Sequence, residues 1–379
     1  MNRLVIIGNG FDMAHGLKTS YMDFINWYWD QRVNAFVGNT TKVSEDILCK
    51  LQIKDNEYIS CWNVFAYQNS FFFKDIYHKE RYSGFEIIQE IQKHPEVFSI
   101  KYCPLFENIL QSIETKGWVD IENDYYQLLK DCATNVDNNE TVSELNIQLA
   151  FLQTKLVEYL QTIETDVFRN DLQGAIKDRL NPEDFSTEGK SKALDNIGIN
   201  ISDLATIRRN PRKFNKLFPE RTMLLSFNYT ATAEKYKEDN TIYNYIHGRL
   251  DHPENIIFGY GDELDKRYQD ILDKNDNEFL RNVKSVRYLE TRNYHDLLEF
   301  LISAPFQVLI MGHSCGNSDR TLLNTIFEHE NCISIKPYYH RWQDGTDNYL
   351  ELVQNISRNF TNMKLFRDRV VNKEQCQTM

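Results

Sequence analysis

Residues 4–12 read Leu4-Val5-Ile6-Ile7-Gly8-Asn9-Gly10-Phe11-Asp12. Four apolar residues that stop at a Gly-x-Gly turn predict a buried parallel strand that hands the chain to a helix. After this turn, Ser20 can cap the next helix, with Asp23 three residues on as a weaker form of the capping box. Leu17, Tyr21, Phe24, Ile25 and Tyr28 then share one helical face. The strand pattern returns after Pro219. Residues 222–227 end at Asn228, 241–246 at His247-Gly248, 256–258 at Gly259, 307–311 at Gly312, and 332–336 at Pro337. Helical segments such as 231–238 and 320–330 separate several of them. Strands alternating with helices predict an α/β fold, a Rossmann-like parallel sheet covered on both faces.

Between these two sheet-forming regions the character changes. One stripe runs through Trp118, Ile121, Tyr125, Leu128, Leu129 and Cys132, another through Leu145, Leu149, Leu152, Leu156, Tyr159, Leu160 and Ile163. Both have helical spacing. The expected organisation is one α/β domain made of residues 1–30 and 220–379, with a large, mostly helical insertion at 31–219.

Composition narrows the function. The chain has 379 residues, 43 basic and 55 acidic, for a formal net charge of -12. That balance disfavours nucleic acid as a general partner, because nonspecific affinity for a phosphate backbone comes from clustered Lys and Arg. The cluster Arg208, Arg209, Arg212 and Lys213 is expected to face solvent, the alternative being a local contact with a partner or nucleic acid. Residues 4–7 are too short an apolar run for a signal peptide, and nothing approaches the roughly 18 residues of a membrane span. The seven cysteines are scattered without a C-x-x-C pair, so neither a disulfide framework nor a cysteine zinc site is expected. A cytoplasmic protein follows, without membrane or metal.

In an open parallel sheet, ligands bind beyond the carboxyl ends of the strands. The unusual residues fall there: Gly8 to Asp12, Ser226-Phe227-Asn228-Tyr229-Thr230, His247-Gly248, Gly259-Tyr260-Gly261 and Gly312-His313-Ser314-Cys315-Gly316. Gly8 and Gly10 can bring backbone N–H groups to a phosphate, or simply make a tight turn. Position 13 is Met, so the full G-x-G-x-x-G fingerprint fails, and Asp30, at the distance of a ribose-binding acid, lies in an aromatic helix. A conventional dehydrogenase is disfavoured. Taken alone, His247 reads as a strand-end imidazole, Asn228 equally as a turn or cap former or a ligand contact, Asp319 as a cap for the helix near Arg320, Asp12 as a partner of turn amides, and Asp120, Glu122 and Asp124 as a solvated helix face, from which Glu122, beside the apolar stripe, can also point into a cleft.

The order Gly8-Asn9-Gly10, Ser226-Phe227-Asn228, His247-Gly248, Ile257-Phe258-Gly259 and Gly312-His313-Ser314 resembles the sirtuin core, and the interval from Asn228 to His247 is 19 residues, as in sirtuins. With His15-Gly16-Leu17, Thr19-Ser20-Tyr21 and Trp118-Val119-Asp120-Ile121-Glu122 added, nearly the whole chain resembles the bacteriophage abortive-infection family AbiH. The resemblance implies a sirtuin-like site that binds NAD and breaks its nicotinamide–ribose bond. Asn228 would contact the ribose or orient a water, and His247 would act as base. Gly8, Asn9, Gly10, Phe11, Asp12, Gly248, Gly312, His313, Ser314 and Asp319 would hold the dinucleotide. The four-Cys zinc ribbon of sirtuin deacetylases is missing. Thr230 stands where they have Asp, and Tyr260 where they have Glu. Water is then the simplest acceptor, hence NAD hydrolysis in an antiviral effector that answers a phage-derived trigger or a defence partner, alone or as a homo-oligomer. The alternatives are a non-catalytic NAD or ADP-ribose sensor, or a metal-dependent nuclease built on Asp262, Glu263 and Lys266.

Overall fold

Along the first strand Leu4 and Ile6 pack into one core while Val5 and Ile7 pack into another. A continuous apolar run does this when both faces of its sheet are covered. The computed structural model describes residues 1–37, 43–54, 83–95, 98–116, 120–134, 141–164, 168–198 and 218–379. Its strands are β1 (Asn2–Ile7), β2 (Val43–Glu45), β3 (Cys49–Ile53), β4 (Phe98–Tyr102), β5 (Thr222–Ser226), β6 (Thr241–Tyr245), β7 (Phe306–Met311) and β8 (Cys332–Tyr338). The chain forms two compact units, one of residues 1–18 and 164–379, the other of residues 19–163.

In the first unit β6-β5-β1-β7-β8 form one sheet in that order, and every pairing is parallel. One face packs against Leu297, Phe300 and Leu301 of the helix Asn293–Ser303, Leu322, Leu323, Ile326 and Phe327 of the helix Arg320–Phe327, and Leu352 and Ile356 of the helix Tyr349–Arg358. The other meets Phe11, Leu172, Ile176, Ala233 and Tyr236. Because all five strands run the same way, the segments that follow Ile7, Ser226, Tyr245 and Met311 leave the sheet along one rim. β8 continues through Pro337 to Tyr338, which an edge strand tolerates because its outer N–H has no ladder partner to lose.

Two sequence expectations change here. Residues 256–258 are buried but form no strand: Ile257 N–H bonds the His247 carbonyl at 2.9 Å, one bond in place of a ladder, and Gly259 turns the chain against Asn282. The described residues of 164–198, expected in the insertion, group instead with the sheet. Leu172 and Ile176 of the helix Asn170–Lys177 lie in a sheet core, and Ala193 and Leu194 of the helix Thr187–Ile197 pack with Met1 and Ile333. A buried polar network fixes this segment. Asp184 faces Lys336 Nζ at 3.1 and 3.2 Å and accepts from Gln307 Nε2 at 3.1 Å, while Arg3 donates to the carbonyls of Ile176 and Asp178 at 2.6 Å.

The second unit contains the helices Tyr21–Val37, Gly84–Gln92, Pro104–Lys116, Ile121–Thr134 and Val142–Leu160, with an antiparallel β2-β3-β4 sheet that helical periodicity did not anticipate. Ser20 and Asp23 do cap the first helix reciprocally: Asp23 N–H donates to Ser20 Oγ and Ser20 N–H to Asp23 Oδ2. Full capping boxes start two others, at Ser83/Glu86 and Thr141/Glu144. Asp30 accepts the N–H of Gly84 at 2.6 Å, a contact between two helices. The acidic face departs from the expected solvated one at Asp124, which is buried and accepts from Ser112 Oγ at 3.1 Å, while Glu122 is buried, the inward alternative for it. Trp118, Cys61, Arg208, Arg209, Arg212 and Lys213 lie outside the described residues. Among those described, the other six cysteines are free thiols, and no helix is long and apolar enough to cross a membrane.

The Asp184–Lys336 pair makes a test of how the 168–198 segment is held. Asp184→Ala strands a buried ammonium and is expected to cost about 3–5 kcal/mol. Urea unfolding measures it, and Asp184→Ala/Lys336→Met should recover part of the loss. A single variant as stable as the parent would mean that the pair does not anchor the segment.

Candidate functional site

The rim is assembled by glycines. Gly8 N–H bonds the Met311 carbonyl at 3.1 Å and Gly10 N–H the Gly312 carbonyl at 2.8 Å, so the turns after β1 and β7 nest backbone to backbone. A Cβ on Gly8 would lie 2.5 Å from His313 Cα, and one on Gly312 would lie 2.0 Å from Phe11 N. Gly312 also has φ +77°, open to glycine at little cost. Cys315 takes φ +54° in the same turn, a conformation that L residues rarely adopt. Asn355 and Asn359 brace this turn by donating to the carbonyls of Ser314 and Cys315 at 3.0 and 2.9 Å.

On one side of Gly8 stands Asn228, whose Nδ2 donates to the Gly8 carbonyl at 3.0 Å. Asn228 Oδ1 has no hydrogen-bond partner among the described residues. Below it Asp12 is buried and accepts from Thr230 Oγ1 at 2.6 Å, with Thr232 and Asn228 also beside its carboxylate, while its Oδ1 makes no well-formed hydrogen bond among the described residues. Burial pushes the Asp12 carboxyl up, against the pull of the Thr230 hydroxyl. Asp12 therefore binds a side chain, not the turn amides expected of it.

On the other side of Gly8 lies His313, and beyond it a buried ionic cluster. Cys315 N–H donates to His313 Nδ1 at 2.9 Å, which leaves the ring proton on Nε2, 3.5 Å from Asp319 Oδ2. Asp319 Oδ1 meets Lys284 Nζ at 2.8 Å and His247 Nε2 at 3.2 Å. Tyr288 OH also lies 3.2 Å from His247 Nε2, and its ring runs parallel to the imidazole. Phe227 sits edge-on to both histidines, with centroids 5.1 Å from His247 and 4.2 Å from His313. Asp319 precedes the helix Arg320–Phe327 but makes no side-chain cap bond, so the cap expected there is replaced by this cluster.

The charges follow from these contacts. Burial works against an ionised Asp319, but Lys284, then His247 and His313, outweigh it and hold the carboxyl well below the usual range. Burial, then the Lys284 ammonium, push His247 down to about 4 despite Asp319. The imidazole is neutral near pH 7, with Nε2 donating to the carboxylate. Its Nδ1 then carries the lone pair, and among the described residues it has no partner. An imidazole oriented by a carboxylate, with the opposite nitrogen unpaired, has the chemistry of a general base.

The other predicted residues are distributed around this centre. Asn9 and Ser314 are exposed on the rim. Phe11 points into the core against His15 and Tyr236. Gly248 turns away, packed on Asn255. His15 bonds the Phe11 carbonyl and Tyr236 OH inside the core. Sequence reading missed Lys284, which is 0% exposed, and Tyr288. Neither sits in a glycine turn after a strand. The one hint was a lysine directly after Val283, in the stretch Val283-Lys284-Ser285-Val286. Of the nuclease-like trio, Asp262 is buried on Arg320 at 3.4 Å while Glu263 and Lys266 are exposed. Among the described residues, no three His, Cys, Asp or Glu side chains gather as metal ligands.

The depressed His247 has a measurable consequence. Between about pH 4 and the ordinary 6.5 the unfolded chain binds more protons than the folded one, so stability falls as pH drops through that window. From pH 7 to pH 5 the loss from this residue is about 2 kcal/mol. Asp319, already ionised, does not titrate there. His247→Gln should flatten the change in urea midpoint between these pH values, and an unaltered pH dependence would show that His247 is not held neutral.

No curated protein and no solved structure matches the chain. The family model described as bacteriophage abortive infection AbiH matches residues 4–340. With a match over that span, carrying both glycine turns, Asn228, His247, Lys284 and Asp319, the chain belongs to the bacteriophage abortive infection family AbiH.

Proposed function

We propose that the chain is an anti-phage effector that binds NAD and hydrolyses its nicotinamide–ribose bond, acting in the cytoplasm. The observation that carries this reading is the placement of His247, with Nε2 3.2 Å from Asp319 Oδ1 and Nδ1 unpaired among the described residues, on the rim that Asn228 and the glycine turns share. The strand order supports a Rossmann-like, sirtuin-like site. Numbered along the chain within the sheet, β6-β5-β1-β7-β8 reads 3-2-1-4-5, the order of dinucleotide-binding sheets, whose ligands sit where the order reverses. That switch point is the β1/β7 boundary, where Gly8 abuts His313.

The chemistry suits these groups. The C–N bond breaks, nicotinamide leaves with the electron pair, and the ribose C1′ becomes oxocarbenium-like. Asn228 Oδ1 orients a water toward C1′. His247 Nδ1 takes the proton that this water loses, and the products are ADP-ribose, nicotinamide and a proton. A placed base of this kind contributes about 10²–10⁴-fold. The amides of Gly8, Gly10 and Phe11 are already used inside the protein, so we assign the dinucleotide's polar contacts to the exposed Asn9 and Ser314. The glycines act by bringing the turns close. His247 is only 4% exposed, and Asn228, His313 and Asp319 are each under a tenth. We read this as a resting form that a phage-derived signal opens, after which loss of NAD halts the host and the phage with it.

The test is to incubate the purified protein with NAD, with and without extract from phage-infected cells, and to quantify nicotinamide. Cleavage is expected, and His247→Ala should lower it by about 100-fold or more. The near-complete covering of His247 also favours a second reading, a sensor that holds the nucleotide without cutting it. Saturable NAD binding by calorimetry, with no nicotinamide released under any condition, would select the sensor and reject the hydrolase.

A further inference from the structure

Three side chains meet at Asp319, and two of them share one oxygen. Lys284 Nζ approaches Oδ1 at 2.8 Å and His247 Nε2 approaches it at 3.2 Å, while His313 Nε2 faces Oδ2 at 3.5 Å. Lys284 is completely buried. Its segment is fixed from the backbone, with Lys284 N–H on the Tyr260 carbonyl at 3.0 Å and Tyr260 N–H on the Asn282 carbonyl at 3.1 Å. A carboxylate beside an imidazole ordinarily favours the imidazolium. Here an ammonium stands on the same oxygen and already neutralises it.

We propose that Lys284 is a positioning residue that keeps His247 uncharged by placing its ammonium on Asp319 Oδ1. The inference deepens the proposed hydrolysis and rests on it for its purpose. A cationic ribose centre develops where the pyridinium leaves, and an imidazolium at the rim would repel it, whereas a neutral ring does not. The charged and titratable groups facing His247 are Lys284 and Tyr288 from one segment, Asp319 from the turn before the helix Arg320–Phe327, and His313 from the turn after β7. Lys284 is the one that favours the neutral ring most strongly, in line with the low value of about 4 at His247.

The test reads the imidazole and needs no turnover. Histidine-labelled full-length protein is titrated by NMR from pH 5 to 8, and the His247 signals are assigned by their loss in His247→Gln. In the parent, His247 should stay neutral throughout, with nitrogen shifts of the Nε2–H tautomer. In Lys284→Met its midpoint should rise by at least one pH unit, a tenfold change in proton affinity, and Lys284→Arg should stay close to the parent. A folded Lys284→Met with an unmoved midpoint overturns the proposal. If Lys284→Met does not fold, the parent decides: a midpoint above pH 6, or the other tautomer, overturns it equally. Failure to cleave NAD alongside the expected titration would remove the hydrolase reading and leave the role of Lys284 standing.

Discussion

A carboxylate taken out of water must be met by donors on both oxygens, or it costs several kcal/mol. Asp319 is such a carboxylate, and its donors come from three separate stretches of chain: Lys284, His247 after β6, and His313 after β7. Satisfying this one anion therefore draws distant segments to one place on the rim. The same requirement fixes which nitrogen of each ring faces the anion. His313 presents Nε2 because Cys315 N–H already uses Nδ1, and His247 presents Nε2, which sends its Nδ1 away from the anion.

The glycine turns provide the complementary constraint, since they set how closely the backbones approach. With Gly8, Gly10 and Gly312 in van der Waals contact, β5 and β7, on either side of β1, deliver Asn228 and His313 to opposite sides of a single residue, Gly8. A side chain at any of these positions would push the turns apart and move both neighbours. The same closeness uses up the turn amides, so the glycines here shape the site more than they line it. That distinction separates a phosphate-cradling turn from a nested one, and a motif alone does not show it.

Much of the sheet was legible because buried parallel strands are written as short apolar runs that stop abruptly, as at Gly8, Asn228, His247 and Gly312. The same rule misled at residues 256–258, which are apolar and buried but join the neighbouring segment through the Ile257 N–H to His247 carbonyl bond without forming a strand ladder. β3 carries an alternation, with Cys49, Leu51 and Ile53 buried, but its five residues are too short to stand out amid strong helical signals. The segment around Asp184 looked like more insertion because its attachment to the sheet is made by polar side chains, Lys336, Gln307 and Arg3, which leave no periodic trace. At the site, residues adjoining strand ends were found. Lys284 was missed because its importance comes from a fold-level meeting with Asp319, and no local pattern encodes that.

The electrostatics of the rim bear on which reaction it suits. Phosphoryl transfer spreads negative charge and is helped by cations free to meet it. The cation buried here, Lys284, is spent on Asp319. Breaking a nicotinamide–ribose bond spreads positive charge over the sugar, as glycoside cleavage does. For that reaction a site needs oriented dipoles, a neutral base and no unbalanced cation near the sugar. Asn228 with a carbonyl oxygen unpaired among the described residues, His247 kept neutral, and an ammonium cancelled by its own carboxylate form such a set. The water that attacks an oxocarbenium-like carbon becomes strongly acidic as its new bond forms. A weakly basic imidazole is then enough to receive the proton, so the low basicity that burial gives His247 is compatible with this chemistry. It would be poorly suited to activating a nucleophile from a standing start.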